Sequence, residues 1–173
     1  MQLIASLVVL FAVVGCGSAA QPTSSAGPSV SSFENDLMSF EYPGNWNALV
    51  PESGDAALVL LSTEELATTE PRIQTLGPDG VYVAWTERSV SPVVTPNPSM
   101  NTEVQVGGRT AVLTQEDADG DCAGLDGDQL LTVRIDSAGA KPDVQMQACV
   151  RGPNFELTSA TIAGMLASVE WKD

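Results

Sequence analysis

An α+β fold, an antiparallel β-sheet flanked by helices, is what the sequence predicts. Three observations predict it. Short β-prone segments recur between turn residues from residue 37 onward. Two of them face each other across a Gly107-Gly108 pair, a hairpin signal. And apolar residues at helical spacing close the chain, after the strands rather than between them, which separates this pattern from alternating βαβ units.

The elements follow in order. "LMSFEY" (37–42) alternates apolar and polar residues and meets a turn at "PGNW". "WNALV" (46–50) is expected to return beside it, and "AALVLLS" (56–62) reads as a fuller buried strand. "STEELATTE" (62–70) opens with a Ser-x-x-Glu capping signal and predicts a short helix. In "GVYVAWTERS" (80–89) Val81, Val83 and Trp85 share one face of a strand. The prolines of "SPVVTPNPS" (91–99) demand a loop. "TEVQVGGRTAVLTQED" (102–117) is the hairpin. "QLLTVRID" (129–136) and "VQMQACVRG" (144–152) pair across "SAGAKPD". In "NFELTSATIAGMLASVEW", Ile162, Met165, Leu166 and Val169 form the apolar stripe of a C-terminal helix.

Charge divides the chain. All of its charged residues, 22 acidic and 7 basic, lie after Phe33. The net charge of −15 therefore falls on the later part, which repels nucleic acid and anionic head groups, so no nucleic acid partner is expected. That part, about 140 residues, is long enough to bury a core without metals. Solubility is the plainest use of such acidity.

The start, "MQLIASLVVLFAVVG", reads as the apolar region of a secretory signal, too short for a transmembrane helix. "VVGC" (13–16) resembles the bacterial lipobox: an aliphatic residue, a permissive one, a small one, then cysteine. The resemblance implies that Cys16 takes a diacylglycerol, that residues 1–15 are removed, and that the new terminus is acylated, palmitate being a usual chain. Two or three acyl chains at ~0.8 kcal/mol per buried CH₂ hold a protein on a membrane. Two features depart from the pattern: Val13 stands where leucine is commoner, and the leading "MQ" carries no Lys or Arg. After Cys16, "GSAAQPTSSAGPSVSS" has the composition of a flexible tether. The expected division is thus residues 1–15 leader, 16–32 lipidated cysteine and linker, and 33–173 one domain. The expected location is the extracytoplasmic face of the cell membrane.

That compartment permits disulfides, and with Cys16 lipidated the pair Cys122 and Cys149 remains. The alternative is two reduced, buried thiols. Cys122 lies in the polar stretch "DADGDCAGLDGD", a poor setting for a small core residue, which favours the bridge. Its closure would contribute roughly 3–4 kcal/mol.

"FENDLMSFEYPGNW" resembles the opening of PsbP-like domains, whose first strand runs toward a Tyr-Pro-x-x-Trp motif, met here as Phe40, Tyr42, Pro43 and Trp46. "VQVGGRTA", "ACVRGPN" and the ending "MLASVEW" resemble bacterial members of that superfamily, which also holds the Ran-binding Mog proteins and photosystem accessory subunits. The resemblance implies an α-β-α sandwich and no particular activity. Plant photosystem members use a histidine in metal contacts; this chain has no histidine, so that role does not carry over.

The absence of histidine also excludes Ser-His-Asp, Cys-His and His-based zinc chemistry. Neither GxxxxGK[ST] nor GxGxxG occurs, and CxxC is absent. Of the two lysines, Lys141 lies in a turn and Lys172 near the terminus, poor places for a Schiff base. In "EDADGDCAGLDGD" (116–128), Asp117, Asp119 and Asp121 with Asp128 at position 12 imitate a calcium loop. Cys122 in place of the bend glycine and a short Asp128 argue for a cystine-tethered acidic loop instead, so neither metal nor cofactor is expected. Trp85 reads as core, Trp46 as structural, and Trp171 as partly exposed. Arg109 and Arg151 could receive an anion, though salt bridges to the acidic surface account for both more simply.

The expected function is therefore a membrane-anchored, non-catalytic binding or accessory domain, monomeric, tethered by the lipid on Cys16 and serving an envelope protein. The rival is a small-ligand receptor or a carboxylate-based hydrolase at the envelope surface.

Overall fold

The computed structural model of the chain describes residues 29–52, 56–69, 73–88, 101–136 and 142–172. The leader, Cys16, most of the linker, the loop 91–99 and Lys141 lie outside them. Among the described residues are ten strands and two helices: β1 (Val30–Glu34), β2 (Met38–Pro43), β3 (Asn47–Leu49), β4 (Ala57–Ser62), β5 (Val81–Arg88), β6 (Asn101–Val106), β7 (Arg109–Asp117), α1 (Gly120–Gly124), β8 (Gln129–Ile135), β9 (Asp143–Val150), α2 (Phe155–Ala167) and β10 (Glu170–Trp171). They form a seven-stranded sheet, β3-β4-β5-β9-β8-β7-β6, and a three-stranded sheet, β1-β2-β10, and every pairing is antiparallel.

Period-two alternation decides which face of the large sheet is buried. Val81, Val83 and Trp85 of β5 stand opposite Val150, Ala148 and Met146 of β9, and all six are buried on one face. The small sheet and α2 lie side by side on that face. Phe33 and Phe40, paired across β1 and β2, reach down to it, and Phe40 stacks on Trp85 at 5.1 Å. From α2 come Ile162, Met165 and Leu166, followed by Val169 just past the helix. Trp85 is fully buried, and its indole N–H finds no acceptor among the described residues.

The other face carries a smaller apolar cluster. Ile73, Leu76, Cys122 and Cys149 pack there with Tyr82, Leu125 and Leu130, and the two cysteines are disulfide-bonded. Antiparallel α+β architecture is therefore present, but it is richer in β-structure than a sheet with helices on both faces. The place expected for a helix layer is shared between α2 and a second sheet, and α1 is a single turn.

Three local departures have identifiable causes. The helix expected over 62–70 does not form: residues 63–69 are bends and irregular backbone. Ser62 donates to the Val81 carbonyl (2.9 Å) and accepts from the Glu64 N–H (3.0 Å). The neighbouring Glu64 carboxylate accepts from the Gly77 N–H (3.1 Å), and Glu65, the glutamate of the capping signal, is exposed. The Ser62 hydroxyl and the Glu64 carboxylate thus tie this segment to residues 81 and 77 instead of leaving it to wind as a helix. Next, β3 does not return along β2; its partner is β4 in the other sheet, and the turn closed by Trp46 N–H on the Pro43 carbonyl (3.0 Å) carries the chain between sheets. Finally, β1 begins at Val30, inside the stretch assigned to the linker.

The hairpin at Gly107-Gly108 is as expected. Val106 pairs Arg109, leaving a two-residue loop whose glycines have φ of 55° and 77°, the type I′ requirement.

Candidate functional site

Where the small sheet and α2 diverge over the large sheet they leave a groove of about 600 Å³, open along one side. One wall is the start of β1 with the end of β2 and its turn: Val30, Tyr42, Pro43, Asn45 and Trp46. The opposite wall is the first half of α2: Asn154, Leu157, Thr158, Thr161 and Met165. Thr63, Val81, Glu41 and Asp79 complete the lining. Leu157 is 72% exposed and Val30 61%, two of the three large apolar side chains that the described residues leave to solvent.

Local chemistry fixes this geometry. Gly44 donates to the Ser29 carbonyl (2.7 Å), which holds the entry to β1 against the turn. Asp79 occupies the left-handed region (φ 58°), which Asp and Asn tolerate best after glycine, and its Oδ1 accepts from Asn154 Nδ2 (3.0 Å) at the start of α2. Gly152 lies so close that a Cβ there would stand 2.6 Å from Asp79 Oδ1. The lining contains no Lys, Arg or Cys.

The acidic loop packs against the disulfide. Asp117 Oδ1 accepts from Gln129 Nε2 (2.9 Å), Asp128 Oδ2 accepts from the Gly152 N–H (2.8 Å), and Asp119 and Asp121 sit at the start of α1. Among the described residues no three His, Cys, Asp or Glu side chains converge as a metal site would need. A cavity of about 270 Å³ lies beside the bridge, between Tyr82, Asp121 and Gln147.

The remaining residues singled out in the sequence are placed as follows. Arg151 donates to the Leu76 carbonyl and lies 3.6 Å from Asp126 Oδ2. Arg109 sits 4.1 Å above the half-buried Trp171 ring rather than in an ion pair, and the indole N–H donates to the Val106 carbonyl (2.9 Å). Lys172 Nζ reaches Glu34 Oε1 at 2.6 Å, and this holds the Glu34 carboxyl below the usual glutamate value. Trp46 lines the groove, and Trp85 is core. The exposed Leu157 escaped sequence reasoning; its signal is an apolar residue off the α2 stripe.

No protein-family profile matches the chain, and no curated protein matches it in sequence. Among solved structures it is similar to the solution structure of cyanobacterial PsbP (CyanoP) from Synechocystis sp. PCC 6803, at 10% identity and a TM-score of 0.49, over 90% of this chain and 99% of that one. A crystal structure from Bacteroides thetaiotaomicron VPI-5482 is similar at 12% identity and a TM-score of 0.41. That match covers 82% of this chain and 48% of the other. No helix among the described residues is long and apolar enough to cross a membrane.

Proposed function

We propose that this chain is a lipid-anchored protein of the extracytoplasmic membrane face, carrying a PsbP-like domain that acts as a non-catalytic binding or accessory module. The anchor rests on "VVGC" and the tether-like composition after Cys16. The PsbP-like assignment rests on Phe40, Tyr42, Pro43 and Trp46.

One observation carries the binding reading: an open groove with Leu157 and Val30 exposed in opposite walls and two aromatic side chains between them. Exposed apolar side chains brought together in a concavity with a polar rim are the usual marks of a contact surface. The hydrolase alternative needs two free carboxylates in unlike environments. Here Glu41 and Asp79 are both exposed, and Asp79 is tied to Asn154. A volume of about 600 Å³ also suits a small ligand, and this keeps the receptor as the second reading.

Photocrosslinking from intact cells tests the module. A photoreactive residue at position 157 should capture a discrete partner, while one at the exposed Gln147 on the opposite face should not. Equal capture from both positions, or capture from 147 alone, would remove the groove from consideration. Mass spectrometry of the mature N-terminus tests the anchor: an unmodified Cys16, or cleavage elsewhere, would overturn it.

A further inference from the structure

We infer that the groove recognises a segment of a partner protein that presents a Lys or Arg side chain next to an apolar one. This rests on the reading of the groove as the binding surface, and adds the chemistry of what it holds.

The charge around the groove has one sign. Glu41 and Asp79 line it and no basic residue does. Glu41 is anchored through its main chain, whose N–H donates to the Ser168 hydroxyl oxygen at 2.9 Å, and its carboxylate makes no ion pair among the described residues. Asp79 is oriented by Asn154 through Oδ1, which leaves Oδ2 unbonded among the described residues. The basic side chains with a described partner are engaged elsewhere: Arg109 on Trp171, Arg151 at Asp126, Lys172 at Glu34. Arg88 and Arg134 point to the opposite face of the large sheet, in register with Asp143 and Gln145.

Tyr42 and Trp46 add ring faces, and the negative quadrupole of an aromatic face favours a cation. Pro43, Leu157, Met165 and Val30 supply the apolar complement. A basic side chain satisfies both halves at once, with its methylene stem along the apolar wall and its head at a carboxylate. The net charge of −15 steers such a partner toward the domain. The open side and the rim amides and hydroxyls of Asn45, Asn154 and Thr158 suit an extended main chain, which needs hydrogen-bonding partners, better than a small enclosed amine.

The test is fluorescence anisotropy of the purified full chain with three labelled short peptides, alternating Leu with Lys, Gln or Glu. The Leu/Lys peptide should bind at least about tenfold more tightly than Leu/Gln at low salt, with the gap closing at about 0.5 M salt. The double substitution Glu41→Gln, Asp79→Asn should remove that gap; Asn keeps the left-handed backbone that Asp79 adopts. Equal affinity for Leu/Lys and Leu/Gln, or a Leu/Lys preference that survives the double substitution, overturns the cation inference while leaving the groove intact as a contact surface. If no peptide binds, or Leu157→Asp leaves binding unchanged, the groove reading itself falls. Displacement of the Leu/Lys peptide by butylammonium at equal concentration would replace a partner segment with a small-amine ligand.

Discussion

The two glycines of the β6–β7 turn should differ in cost when each is replaced by alanine, although both have positive φ. At Gly108 an added Cβ meets nothing within 4 Å, so Gly108→Ala pays only for placing a side chain in the left-handed region, about 1 kcal/mol. At Gly107 the same backbone term applies, and the Cβ would also stand 2.5 Å from the Val169 carbonyl oxygen and 2.7 Å from the Trp171 indole nitrogen. The segment carrying Val169 and Trp171 would have to withdraw. Withdrawal strains the indole hydrogen bond to Val106, worth about 1 kcal/mol, and the Arg109–Trp171 contact, worth about 0.5–1 kcal/mol at an exposed site. Gly107→Ala should therefore cost about 3 kcal/mol, some 2 kcal/mol more than its neighbour. With a urea m-value of about 2 kcal/mol per molar, the two midpoints should lie about 1 M apart by circular dichroism. In a Trp171→Ala background the gap should narrow, since only the Val169 carbonyl then remains in the way. Equal midpoints for the two single variants would refute the idea that the C-terminal segment is fastened to this hairpin.

Three other outcomes are expected. Reducing the Cys122–Cys149 bridge, which spans 27 residues, should lower stability by roughly 3–4 kcal/mol in urea melts with and without reductant, and both thiols should resist alkylation in denaturant before reduction. Trp85→Phe should cost under about 1.5 kcal/mol in the same melts, because the ring stack with Phe40 is kept and an unpaired buried donor is removed, whereas Trp85→Ala should cost about 3–5 kcal/mol. Glu34 is held below its usual value by Lys172, so its contribution is present above the unfolded-state value and is lost as pH falls through the folded one; NMR titration should show its midpoint rising in Lys172→Met.

Strands with strong local signatures were legible in the sequence: the Gly107-Gly108 hairpin, β5 with Val81, Val83 and Trp85, and the pairing of β8 with β9. The cysteine pairing was legible because Cys122 lies in a polar stretch, a poor setting for a reduced core thiol, and the structure bridges it to Cys149. What sequence could not give are elements defined by distant partners. β1 reads "VSSFE", close in composition to the Ser-rich residues before it, and becomes a strand because β2 offers Phe40 to Phe33. β10 is two residues and exists only against Met38 and Ser39. The Ser62-x-x-Glu65 signal was locally sound, but Val81 claimed the Ser62 hydroxyl and Gly77 the carboxylate of the intervening Glu64. The groove is assembled from five separated stretches of chain, so Tyr42 and Trp46 were visible as a Tyr-Pro-x-x-Trp motif without any indication that Leu157 shares their groove.

The order β1-β2-β10 has a kinetic consequence. Ser39 lies opposite both Glu34 and Glu170, so the central strand of the small sheet must wait for residues far along the chain before its second edge is covered. The Lys172–Glu34 contact closes a separation of 138 residues, the kind of long-range closure that slows folding. A nascent chain that has made β1 and β2 but not residues 168–172 presents an open strand edge at Met38 and Ser39, available to another chain. Arrival of that late segment is thus a completion step, and a chain stalled before it would be recognisable to proteases and chaperones by that edge alone.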